Sequence, residues 1–289
     1  MRPILVVLAL AVAASAAPQY EPIFTDYHEE IGIPEAARIK AAEEGMDFDG
    51  ARIVGGSTSN VGQFPFKAGL IVDLLSGLMS VCGASLLSNT RLVTSAHCWR
   101  HRANQASQVT VVLGSELLFS GGTRIISSQV ELHRSYNEDN LNNDVGVITI
   151  DRVAFSRTIS SIRLATGSNN FAGTVATAVG FGRTNDGAPI TTSQYMNHVE
   201  LAVIPNEECR RVFGPSIVVS STLCTSGADG KSTCGGDSGG PLFISGTVSI
   251  TRPVLIGIAS FWSTAGCQRG FPAGFARVTS YASWIQSRL

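Results

Sequence analysis

Short apolar or β-branched runs recur along the chain between glycine-rich and polar turns, at 67–72, 84–87, 109–113, 124–130, 145–150, 175–180, 198–204, 241–244 and 254–260. Many short runs of this kind predict an all-β barrel or sandwich. The end of the chain switches to helical spacing, with Tyr281, Trp284, Ile285 and Leu289 on one face. A stretch this short is marginal alone, so a terminal helix docked on the body is expected. At the other end, Met1-Arg2-Pro3 is followed by the apolar stretch Ile4 to Val12 and the small residues Ala14-Ser15-Ala16. This is the pattern of a secretory signal, residues 1–16, and it is shorter than the ~20 residues that span a bilayer. A secreted, extracellular protein without a membrane partner follows.

Composition sharpens this picture. Charged residues make up 15% of the 289 positions, below the roughly 25% of an average soluble protein, and no basic run points to nucleic acid. Residues 17–52 differ from the rest: nine acids stand against three bases, a net −6. Such a leader is not expected to build a core of its own, although Pro34 to Met46 suits a short helix. From Ile53 to Leu289 the balance is +4, so the leader and body attract each other electrostatically. The six cysteines of a secreted chain imply disulfides, with fifteen possible connectivities. Close Cys-x-x-Cys pairs for zinc and paired acids for calcium are missing, so neither a metal nor a cofactor is expected.

The chemistry concentrates at Thr233-Cys234-Gly235-Gly236-Asp237-Ser238-Gly239-Gly240-Pro241-Leu242. A glycine-dense turn holding one serine lets a hydroxyl stand clear of the backbone while amides approach whatever it attacks. Partners lie upstream: His97 in Thr94-Ser95-Ala96-His97-Cys98, and Asp144 in Asn142-Asn143-Asp144-Val145, just before an apolar run. His28, His101, His133 and His198 sit in no comparable motif, and Asp139 does not directly precede the apolar run.

With histidine first, aspartate second and serine last, residues 53–289 resemble the chymotrypsin-like serine endopeptidases, nearest to the digestive enzymes of arthropods. The resemblance implies two six-stranded antiparallel β-barrels with a C-terminal helix, divided near residue 163, and a site in the cleft between them. His97, Asp144 and Ser238 would form the catalytic triad, and the amides of Gly236 and Ser238 the oxyanion hole. Cys82 would pair with Cys98, Cys209 with Cys224, and Cys234 with Cys267. Arg52-Ile53-Val54-Gly55-Gly56 resembles the activation site of the family's zymogens, where the freed amine, here of Ile53, turns inward to Asp237. The leader would then be an activation propeptide, 17–52, and its lack of cysteine leaves no disulfide tether after cleavage. Ala84, Ser95 and Phe181 depart from the residues usual in the family, but none replaces a reacting group.

The resemblance also places Ser232 at the floor of the primary specificity pocket, with walls from Ser260, Trp262 and Ala273. A neutral floor offers no counter-charge to a buried arginine or lysine, so cleavage after apolar residues is expected. Trp262 would either narrow the pocket or swing outward. The partners expected are protein or peptide substrates, a trypsin-like activating protease and protein inhibitors, and the enzyme is expected to be a monomer. The competing readings are an inactive homologue that binds or regulates other proteins, and an elastase- or collagenase-like protease.

Overall fold

The structure is a computed structural model that describes residues 19–45, 57–186, 195–245 and 252–289. The expected signal, residues 1–16, and the expected activation residues Arg52 and Ile53 lie outside the described residues. Two barrel-like antiparallel sheets make up the body, each built on six main strands once the shortest pairings are set aside. The first sheet contains Lys67–Leu74, Met79–Ser88, Arg91–Thr94, Asn104–Leu113 and Gly146–Thr149, with a sixth strand interrupted between Thr123–Ser127 and Val130–Leu132. The second contains Val175–Gly180, Asn197–Ile204, Thr222–Thr225, Pro241–Ile244, Val254–Phe261 and Ala273–Arg277. Leu70, Val81, Leu86, Val111, Leu113 and Ile148 fill the first core; Leu201, Leu223, Leu242, Ile256, Ile258 and Phe275 belong to the second.

Seven of the nine apolar runs fall within strands; 124–130 is broken at residues 128–129, and 145–150 overruns the strand Gly146–Thr149 by one residue at each end. Three of the main strands carry no clear signal in the sequence: Arg91–Thr94, Thr222–Thr225 and Ala273–Arg277. The last contains two alanines and a glycine, poor strand formers, yet it pairs with 222–225 on one side and 254–261 on the other. Two ladders and complete burial override local preference there. The terminal helix spans Val278–Gln286 and buries Val278, Tyr281, Ala282 and Ile285. A further helix, Asn206–Phe213, carries Glu207 and Glu208 in its first turn and Arg210 and Arg211 in its last, matching its dipole.

Cys82–Cys98, Cys209–Cys224 and Cys234–Cys267 are joined as disulfides. Loops of this size contribute about 3 kcal/mol each in the chain-entropy account. The first fastens the segment carrying His97 to a core strand, and the third fastens the segment carrying Ser238.

The acidic leader has no core of its own. Its helix Ile33–Glu44 begins with proline in the first turn and stops at Gly45. Ala36, Ile39 and Ala42 are buried against the body, along with Tyr27 and Phe24 ahead of the helix. The helix packs on strand 79–88, which is why eight of that strand's ten residues are buried instead of alternating. No helix among the described residues is long and apolar enough to cross a membrane.

Candidate active site

His97 sits on a single helical turn, Ala96–Cys98, at the end of strand 91–94, and is fully buried. Asp144 ends the loop before strand 146–149 and is also buried. One Asp144 oxygen accepts from the His97 backbone amide at 2.9 Å, and the other is 2.7 Å from His97 Nδ1. The second oxygen also accepts from the Ser260 hydroxyl at 2.6 Å. Burial alone would raise the Asp144 carboxyl, but the His97 ring and these hydrogen bonds hold it below its ordinary value. An ionised acid on Nδ1 fixes the proton there and leaves Nε2 as the basic nitrogen.

Ser238 lies on the turn leading into strand 241–244. Its carbonyl accepts from the Gly83 amide at 2.6 Å, and the next residue's amide donates to Ala259 at 2.8 Å. Gly239 has φ of 77°, and a Cβ there would collide with Thr94 and the Gly83 carbonyl, so only glycine fits. These contacts lock the serine turn onto both sheets and bring its carbonyl oxygen within 3.6 Å of the sulfur of Cys98, the residue after His97. The Ser238 hydroxyl and His97 Nε2 are both buried, and neither has a hydrogen-bond partner among the described residues.

Tyr27 of the leader fills this place. Its ring centroid is 4.5 Å from that of His97, and its hydroxyl donates to the Val81 carbonyl at 2.7 Å. Burial drives its phenol far above the ordinary value, with the neighbouring Ser238 hydroxyl pulling the other way. Phe24 stands edge-on to His97 and lies 5.6 Å from Trp262. Behind the serine, Asp237 accepts from the Gly182 amide at 2.9 Å and from Cys234 at 3.0 Å. Its carboxylate occupies a slot where a Cβ on Gly180 or Gly182 would collide with it. Desolvation raises the Asp237 carboxyl, opposed by those amides and by Lys67.

The residues expected to shape the specificity pocket are spread out. Trp262 is buried and lines a cavity of about 300 Å³ under the leader helix, with Gly235 and Ile31 among its neighbours. Ser232 borders a different cavity, about 470 Å³, together with Gly180, Gly182 and Asp237. Ser260 directs its hydroxyl to Asp144, and Ala273 is buried in its strand. Gly236, with φ of 97°, faces the leader's Ile39.

The family model described as Trypsin matches residues 53–285. The chain belongs to the trypsin family. Among curated relatives, a collagenase of Hypoderma lineatum is 39% identical over 81% of this chain and 86% of its own. Brachyurin of Leptuca pugilator is 34% identical over 82% of this chain and 98% of its own. The solved HL collagenase structure superposes with a TM-score of 0.73 at 37% identity, covering 82% of this chain and 98% of that one. This trypsin-family chain is accordingly a serine endopeptidase, a hydrolase. The family match starts at residue 53, so the described leader, 19–45, lies wholly outside it.

Sequence reasoning missed Lys67. In this trypsin-family body its ammonium is buried against Gly83 and Gly240, 5.6 Å from the Phe181 ring, with no hydrogen-bond partner among the described residues. Desolvation pushes it down to about 8, against the pull of Asp237. The unfolded chain therefore binds more protons than the folded one between that value and the ordinary 10.5. Stability gains from this group as pH rises through that window, and below it the cost of the buried charge is complete. Lys67→Met should be more stable than the parent at pH 8, by a margin that shrinks toward pH 10.5. Urea unfolding of both proteins at several pH values measures it; a margin independent of pH contradicts the assignment.

Proposed function

We propose that this endopeptidase is secreted as a zymogen, is activated by cleavage after Arg52, and works through His97, Asp144 and Ser238. A serine hydroxyl is a weak nucleophile until a base takes its proton during attack. His97 Nε2 takes that proton and returns it to the leaving amine, while Asp144 orients the ring and stabilises the imidazolium. The amides of Gly236 and Ser238 donate to the oxyanion, each worth about 3 to 4 kcal/mol of transition-state stabilisation. The observation that carries the reading is the double hold of Asp144 on His97, through both its amide and its Nδ1, beside a buried serine.

Cleavage frees the Ile53 amine, which pairs with Asp237 and draws it away from the Gly182 amide. Amine and carboxylate must be buried together, since either alone is costly to desolvate. The preferred substrates carry leucine or phenylalanine before the scissile bond, because Ser232 supplies no negative charge. The likeness to Hypoderma lineatum collagenase supports a second reading, in which native collagen is among the substrates.

A panel of matched peptides, with native collagen beside it, tests this on the cleaved, leader-free protein. Trp262→Gly should raise kcat/KM for phenylalanine relative to leucine by about tenfold, the scale of a change in pocket volume. An unchanged ratio, or strong parental cleavage after arginine, refutes the pocket assignment.

A further inference from the structure

We infer that the leader is a reversible, active-site-directed inhibitor of its own protease domain, and that it remains bound after the chain is cut until it is displaced. This rests on the reading of His97 and Ser238 as the reacting pair.

The leader crosses the cleft from one sheet to the other. It begins on the second sheet's side, where the Glu21 amide donates to Val212 at 2.9 Å and the Thr264 amide donates to Pro22 at 3.1 Å. Phe24 then enters an aromatic box of His97, His101 and Trp262, at centroid distances of 5.5, 5.8 and 5.6 Å. Tyr27 is fully buried, its amide donating to His101 Nδ1 at 2.9 Å and its hydroxyl to Val81 on the first sheet. Farther on, Glu35 pairs with Arg183, and the Glu43 carboxylate accepts from the amides of Leu118 at 2.6 Å and Phe119 at 2.9 Å. Each interaction joins the leader to the body and none is covalent, because residues 19–45 contain no cysteine.

Passing the serine does not make this segment a substrate. Hydrolysis needs a carbonyl presented to both the hydroxyl and the oxyanion donors. From Tyr27 onward the backbone is helical, and the carbonyls here accept from the leader's own amides, Asp26 from Glu30 and His28 from Ile33. The group placed on His97 is a phenol ring, which has no scissile bond. Buried aromatic anchors of this kind dominate binding energy at interfaces, and Phe24 and Tyr27 are that kind.

All the contacts above lie within residues 21–43, upstream of Arg52, so cutting after Arg52 removes none of them. The cut makes the leader a separate acidic peptide, held only by its fit. Release then follows mass action: dilution, or a competing substrate, frees the site.

The test uses the full chain cut after Arg52 and passed through an anion exchanger, which retains the acidic leader. A synthetic peptide of residues 19–45 is titrated back, with hydrolysis of a small peptide substrate and anisotropy of a fluorescent copy of the peptide as readouts. The expected result is competitive inhibition without cleavage of the peptide, and a dissociation constant at least about thirtyfold weaker for Tyr27→Ala and for Phe24→Ala, as for anchor residues. Absence of binding by anisotropy, non-competitive inhibition, or equal affinity of parent and variant peptides overturns the inference. The binding readout does not depend on turnover. A leader-free domain that binds the peptide at this site yet hydrolyses nothing contradicts the functional reading instead.

Discussion

Ser238→Ala is expected to lower peptide hydrolysis by the cut, leader-free protein by about 10⁵- to 10⁶-fold, the scale seen when a triad nucleophile is removed. The loss should fall on kcat, because the hydroxyl acts in bond formation and contributes little to holding the substrate. The fold should survive. Within the protease body the serine hydroxyl has no hydrogen-bond partner among the described residues, and its neighbour Tyr27 leaves with the leader, so its deletion breaks no such bond there and leaves a gap of one oxygen atom. The contacts that shape the turn belong to the backbone: Ser238 carbonyl with Gly83, and Gly239 amide with Ala259. Urea unfolding of parent and variant should therefore give midpoints that agree, while kcat differs by orders of magnitude. A variant retaining more than about one percent of parental kcat would remove Ser238 from the role of nucleophile.

Arg52→Gln should hold the chain at precursor activity after treatment with a trypsin-like protease, about a hundredfold or more below the cut parent. Two physical barriers support this expectation. Asp237 stays in the slot formed by Gly180 and Gly182, accepting from Gly182 and Cys234, with no new amine to compete for it. An active arrangement opposed in this way is a minor state, populated at about one percent or below. The leader also remains tethered, so its effective concentration at the site stays high and dilution cannot free it. N-terminal sequencing of active parental protein should begin at Ile53. Full activity in treated Arg52→Gln would show that neither the new terminus nor the release of the leader controls the site.

Much of the fold was legible because the strands carry their own signal. Runs such as Val175–Gly180 and Pro241–Ile244 are apolar and bounded by turns, and they form strands at those bounds. Ala273–Arg277 was not legible, since its strand character comes from two neighbours far away in sequence. The site divides in the same way. His97, Asp144 and Ser238 each stand in a motif whose residue types announce a task, and the fold gathers them. Ser260 stands in the stretch expected to wall the pocket, and its hydroxyl's hold on Asp144 is not legible, being a contact between residues 116 positions apart. Lys67 reads as an ordinary strand residue because the groups that bury it, Gly83 and Gly240, belong to other segments. Tyr27 and Phe24 were hardest to see. They sit in a segment whose acidity suggests a solvated leader, and their partners His97, His101 and Trp262 come from the body.

The opposite charges of leader and body pointed toward docking, and the structure gives that attraction specific form. Glu35 reaches Arg183 beside the serine loop, and Glu43 caps the amides of Leu118 and Phe119. The buried apolar anchors between them provide the fit that charge alone does not. The Glu35 side chain is only 2% exposed and is shared between Arg38 of the leader and Arg183 of the body, whereas Arg183 is 36% exposed, so water screens its side of the pair.

Ser238 is proposed as the nucleophile of a site made competent by cleavage after Arg52. The most direct measurement is covalent labelling with a fluorophosphonate, a serine-directed probe, followed by mass spectrometry of the labelled peptide. It is applied to the intact chain and to the cut, leader-free protein. Slow or negligible labelling of the precursor is expected, with one label per molecule on Ser238 after cutting. Labelling on another residue, or a cut and leader-free protein that takes up no label, would contradict it.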